Sequence, residues 1–176
     1  MTTNEQIPPD TKDWTWVLSQ QCPDCGHTAV DVAGPDVGAT LREATPRWVA
    51  ALQRPDARDR PEPTTWSTLE YGAHVRDGIR IFGARLDLML TQDDPLFDNW
   101  DQDATALEDR YDLQDPSVVA DELAEAARAT ADRFDSVADD QWERPGRRSN
   151  GSRFTVLTLG QYFLHDVVHH LHDVRA

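Results

Sequence analysis

The chain has 176 residues, 39% of them hydrophobic, and a formal net charge of −15 from 32 acidic and 17 basic side chains. That length suits one domain with one modest core, and no apolar run approaches the ~20 residues needed to span a bilayer. A surface this acidic repels phosphate backbones and anionic membranes, so neither nucleic acid nor a membrane is an expected partner.

Residues 1–34 read as an irregular N-terminal segment, punctuated by Pro8, Pro9, Pro23, Gly26 and Gly34. The opening "MTTNEQIPPDTKDW" lacks the basic-then-apolar pattern of a signal peptide, and a cytoplasmic protein is expected. The alternation in "DWTWVL" is strand-like or extended. "QCPDCGH" follows, a single knuckle of Cys22 and Cys25 with His27 behind it. Zinc ribbons use two such knuckles. The pattern therefore leaves four readings open: a second metal or thiol site of Cys22, Cys25 and His27, a redox-active pair, which the acidic and irregular surroundings disfavour, a local disulfide, or a tight turn with two inert thiols.

Residues 35–176 read as four helices, an all-α four-helix bundle. The first spans about 35–53, with Val37, Leu41, Ala44, Trp48 and Leu52 at helical spacing and Pro46 expected to kink or break it. The second spans about 67–91, opened by the capping-box pair Ser67 and Glu70. The third runs from Pro116 to about residue 138, with Asp115 as its N-cap. The fourth spans about 155–174. The long connection at residues 92–115 permits a crossover, so the second and third helices need not be antiparallel neighbours.

The fourth helix ends in "FLHDVVHHLHDV", which holds four of the six histidines. His165 and His169 are one turn apart on the edge of the apolar stripe, a spacing at which two imidazoles can share one metal ion. His74 lies on the corresponding edge of the second helix. If those helices pack side by side, His74, His165 and His169 converge on one divalent ion and leave a coordination position open. His170 points away on the helical wheel, and Asp166 and Asp173 read as helix charges or as carboxylates that orient an imidazole.

"TWSTLEYGAHVRD", "DDQWERPGRRSNGSRFTVLTL" and "LHDVVHHLHDV" resemble the DinB-like superfamily of metal-binding four-helix bundles. The likeness runs from about residue 37 to residue 174. It implies an up-down-down-up topology and a zinc or nickel ion held by His74, His165 and His169. Relatives include mycothiol- and bacillithiol-dependent transferases and a maleylpyruvate isomerase. The resemblance thus implies a metal-dependent enzyme that activates a mycothiol-like thiol or water for transfer, isomerisation or hydrolysis of a small molecule. Arg147, Arg148 and Arg153 are the cations available to an anionic substrate. The alternative is a non-catalytic metal-binding bundle with a structural, sensing or dimer-forming role, a homodimer being the expected assembly.

Overall fold

Side-chain caps start three of the four long helices of the computed structural model, which describes residues 7–176. Helix α1 (Val37–Leu52) follows a 3-10 turn at Gly34–Asp36 that contains Pro35. In α2 (Thr68–Thr91) the Ser67 hydroxyl accepts from the Glu70 amide at 3.2 Å, and the Glu70 carboxylate accepts from the Ser67 amide at 2.8 Å. The crossover carries the short helix α3 (Gln102–Glu108). Asp115 caps α4 (Pro116–Asp135) by accepting from Ser117 and Val118. Thr155 caps α5 (Val156–Asp173). These four long helices match the four expected from periodicity.

Two local expectations are corrected. Helix α1 does not break at Pro46, because burial of Leu41, Ala44, Trp48 and Leu52 on one face outweighs one missing amide hydrogen bond. "DWTWVL" is not extended but forms a 3-10 turn, Thr15–Leu18. Asp13 accepts from both the amide and the hydroxyl of Thr15, and Val17 alone of the turn is buried, so the local cap replaces strand pairing.

The contacts between helices fix their directions. Helices α2 and α4 are parallel: Arg76 pairs with Glu122, the Thr130 hydroxyl donates to the Ile79 carbonyl, and Asp87 pairs with Arg133. Helices α1 and α5 are also parallel, with Val37 against Gly160 and the Trp48 indole donating to the Val167 carbonyl at 3.2 Å. Helix α5 opposes α2, since Phe82 stacks on Phe163 while His74 lies beside Asp166 and His170. The order is up-down-down-up.

Because α2 and α4 are parallel, their connection must travel back along the bundle. Strand β1 (Leu96–Phe97) in that connection pairs in parallel with β2 (Pro145–Arg148), and β2 pairs antiparallel with β3 (Arg153–Thr155). This small sheet, absent from the all-α expectation, pins the crossover to the α4–α5 linker. The N-terminal segment lies along α5, where Gln161 donates to the carbonyls of Val30 and Val32 and Cys22 is fully buried.

Gly72 sits where α1 ends against α2, and a Cβ there would fall 2.6 Å from Leu52 Cδ2. Gly72→Ala should destabilise the fold by ~1–3 kcal/mol in denaturant unfolding. Leu52→Val in the same background should recover part of that loss; no recovery would mean the cost does not come from this contact.

Candidate metal centre

Helix α5 packs against α2, α1 and the N-terminal segment. Successive residues on it point about 100° apart, so the pairs His165/His169 and Asp166/His170 face different neighbours. The structure accordingly divides the expected triad. His74 meets Asp166 and His170, whereas His165 and His169 meet Cys22 and Cys25. His165 and His169 lie on the azimuth covered by residues 14–25, and Asp166 and His170 on the one that faces α2.

His74 is 1% exposed, and neither of its ring nitrogens has a hydrogen-bond partner. A buried imidazole without a hydrogen bond carries a desolvation cost that an ion ligated at Nε2 would reduce. Its Nε2 lies 3.4 Å from Asp166 Oδ2, and Asp166 Oδ1 lies 3.4 Å from His170 Nε2. Those separations match the ~3.3 Å between nitrogen and oxygen ligands of a tetrahedral zinc ion. The His170 Nδ1 faces Asp173 Oδ2 at 2.8 Å, the arrangement in which a carboxylate fixes the tautomer of a ligating histidine and aims its other nitrogen. Trp100 stacks flat on His74 with centroids 5.0 Å apart, Trp66 packs at its edge, and Tyr71 lies against His170. The aromatic walls hold both imidazoles in place. The residues present fit a divalent ion with two imidazoles and one carboxylate.

Burial opposes charge on both members of the Asp166–His170 pair. The neighbouring imidazoles nevertheless hold the Asp166 carboxyl well below its usual range. Asp166 and Asp173 in turn raise His170 to about 9 despite its burial.

At the second group, Cys22 Sγ lies 3.6 Å from His169 Nδ1 and Cys25 Sγ lies 3.8 Å from His165 Nε2. Burial, with His169 alongside, pushes His165 down to about 4, and burial also lowers His169. Burial thus favours the neutral ring at both positions, the form in which an imidazole can ligate a metal. His27 stands outside this group: its ring is 6.3 Å from His165, and its buried Nε2 has no partner. The knuckle thus faces the α5 histidines and not its own His27.

Asp166 and His170 escaped the sequence reading because two i, i+4 pairs of metal-ligating types overlap on α5, offset by one residue. Only the direction of α2 chooses between them. The interleaved "HD…HH" spacing was the available signal.

A groove of about 800 Å³ opens beside the first group, lined by His74, Asp166, Trp100, Phe82, Tyr162, Arg85 and Arg148 among others. Arg85 packs over Phe82 and Phe97 and donates to the Asp98 carbonyl at 2.7 Å. Arg148 packs over Phe154 and Tyr162 and donates to Asn150 and Ser152. Burial, then the charge of Arg148, lowers the Arg85 guanidinium to about 10. Neither arginine has a carboxylate partner among the described residues. Of the cations expected to meet a substrate, Arg148 lines the groove, Arg147 is paired with Asp94, and Arg153 is exposed.

A helical bundle with this order and a histidine–carboxylate group between two of its helices defines a class of fold and site. The chain belongs to the DinB superfamily, whose family model matches residues 39–174. Among solved structures, YfiT from Bacillus subtilis, described as a probable metal-dependent hydrolase with an unusual four-helix bundle topology, superposes with a TM-score of 0.70. The match covers 79% of this chain and 82% of that one at 21% identity, a likeness of fold. No curated protein matches the chain. No described helix is long and apolar enough to cross a membrane.

His170 has a folded pKa of about 9, above its ordinary 6.5, so its ion pairs stabilise the metal-free fold fully below 6.5 and are lost as pH rises through 9. Asp166, held below its ordinary 3.8, contributes above that value and is lost on further acidification. In metal-free protein, the melting-temperature gap between wild type and His170→Gln should be wide at about pH 6 and shrink by about pH 9.5. An equal gap at both would show that His170 is not held as the cation.

Proposed function

We propose that the chain is a metal-dependent enzyme in which His74, Asp166 and His170 hold a divalent ion at the floor of the groove. The observation that carries this reading is His74, buried with no hydrogen bond at either nitrogen, its Nε2 set 3.4 Å from a carboxylate that also faces His170. Two imidazoles and one carboxylate suit zinc, nickel or ferrous iron, and catalytic zinc sites use the same set. An ion there would lower the pKa of a thiol or water that reached its open position. Asp173 orients His170, and Trp100 and Trp66 limit water around His74. Arg85 and Arg148, without carboxylate partners of their own among the described residues, offer a local place for one anionic group of a small substrate or cosubstrate in a groove that Asp10, Asp13, Asp101 and Asp103 also line.

The nucleophile is a low-molecular-weight thiol such as mycothiol, or water, and the reaction is transfer, isomerisation or hydrolysis in a cytoplasmic setting. The groove favours this reading over a purely structural bundle, because a structural ion needs no approach for a small molecule. The likeness to YfiT supports hydrolysis as the competing outcome for the same site.

Metal-loaded wild type should conjugate mycothiol to a bimane, or hydrolyse small esters and amides, faster than metal-free protein. His74→Ala should fall to the metal-free rate. Arg148→Met should raise KM for anionic substrates several-fold while leaving neutral ones little changed. Equal rates for wild type and His74→Ala with every thiol and with water would overturn the enzyme reading.

A further inference from the structure

We infer that Cys22, Cys25, His165 and His169 form a second, closed zinc site that fastens the N-terminal segment to α5. The four ligand atoms lie within 4.8 Å of one another. A tetrahedral zinc ion with Zn–S of ~2.3 Å and Zn–N of ~2.0–2.1 Å has ligand–ligand edges from ~3.3 Å for two nitrogens to ~3.8 Å for two sulfurs. The mixed sulfur–nitrogen edge is ~3.6 Å, and the sulfur–nitrogen distances of 3.6 and 3.8 Å lie at it and slightly beyond it.

The backbone is shaped for the same purpose. The Gly26 amide donates to the Cys22 carbonyl at 2.9 Å, and the Cys22 amide donates to the His27 carbonyl at 3.0 Å. Gly26 takes φ +73, the left-handed value that lets the chain reverse after Cys25. The turn brings both thiols to one side, and neither is in a disulfide. The two histidines come from adjacent turns of a rigid helix, and Asp173 Oδ2 stands 3.8 Å behind His169 Nε2.

The donor set distinguishes this site from the groove. Four protein ligands fill a tetrahedron and leave no place for substrate, the hallmark of a structural zinc. Cys22 is wholly buried, and His165 and His169 are 4% and 9% exposed. Two thiolates and one divalent cation sum to zero charge, which makes the centre compatible with burial. Two thiol protons leave to solvent as the ion binds. Residues 7–34 have only 3-10 turns of their own, so a metal clip is an effective way to hold them. Trp14, which packs on both histidines and lines the groove, ties the clip to the wall of the first site.

The test is metal analysis of the full chain together with zinc-edge X-ray absorption. Wild type should carry two ions per chain. His170→Ala should keep one, with two sulfurs at ~2.3 Å and two nitrogens at ~2.0–2.1 Å. Cys25→Ser, at a half-exposed position that tolerates the change, should lose that ion and become cleavable by protease within residues 7–34. A wild-type spectrum without a sulfur shell, or zinc content unchanged by Cys25→Ser, would overturn the proposal. If His170→Ala instead keeps the full wild-type metal content with a complete sulfur–nitrogen shell, the groove site fails while this one stands.

Discussion

The rotation of about 100° between successive residues of α5 governs the chemistry of this molecule. It sends His165 and His169 to one side and Asp166 and His170 to the next, and the helix has a different partner on each side. One face meets the thiols of the N-terminal segment and the other meets the imidazole on α2. A single helix therefore serves two clusters of unlike hardness. Sulfur with nitrogen suits a tightly held structural ion, and nitrogen with oxygen suits one that exchanges ligands. Asp173 stands behind both, 2.8 Å from His170 Nδ1 and 3.8 Å from His169 Nε2.

The parallel packing of α2 and α4 has a consequence at the first cluster. Since the chain must return before α4 begins, residues 92–115 pass over the end of the bundle that holds His74. Strand β1, paired with β2, fixes the height of that passage. Trp100 follows directly and lies flat on the His74 ring, with its indole donating to Thr105. Tyr111 closes the return by donating to Asp77 one turn beyond His74. The topology of the bundle and the environment of the buried imidazole are thus one arrangement.

Two cations in the groove depart from the pattern of the surface. Most basic side chains lie among the carboxylates of the surface, as Arg42 does with Asp132 and Asp135. Arg85 and Arg148 instead rest on aromatic rings and donate to neutral oxygens. Their charge is left for whatever enters. The same groove is also lined by Asp10, Asp13, Asp101 and Asp103, so the two guanidinium groups are local cations within a mixed lining and not a positive wall.

Much of this was legible in the chain. The caps at Ser67 and Asp115 and the 3.6-residue period place the long helices to within a few residues, because both signals are local. The resemblance carried by the α2 and α5 motifs supplies the family and the helix order. Two of the three first-cluster residues could not be read this way. His165/His169 and Asp166/His170 are equally good i, i+4 pairs, and nothing within α5 says which one faces α2. The choice depends on where the N-terminal segment comes to rest, with Cys22 and Cys25 147 and 140 residues from the histidines they face, and on the return of the crossover over His74. Sequence by itself determined the helices and the inventory of ligand types. Tertiary structure alone decided their grouping, because helical azimuth acquires meaning only once a neighbour occupies each face.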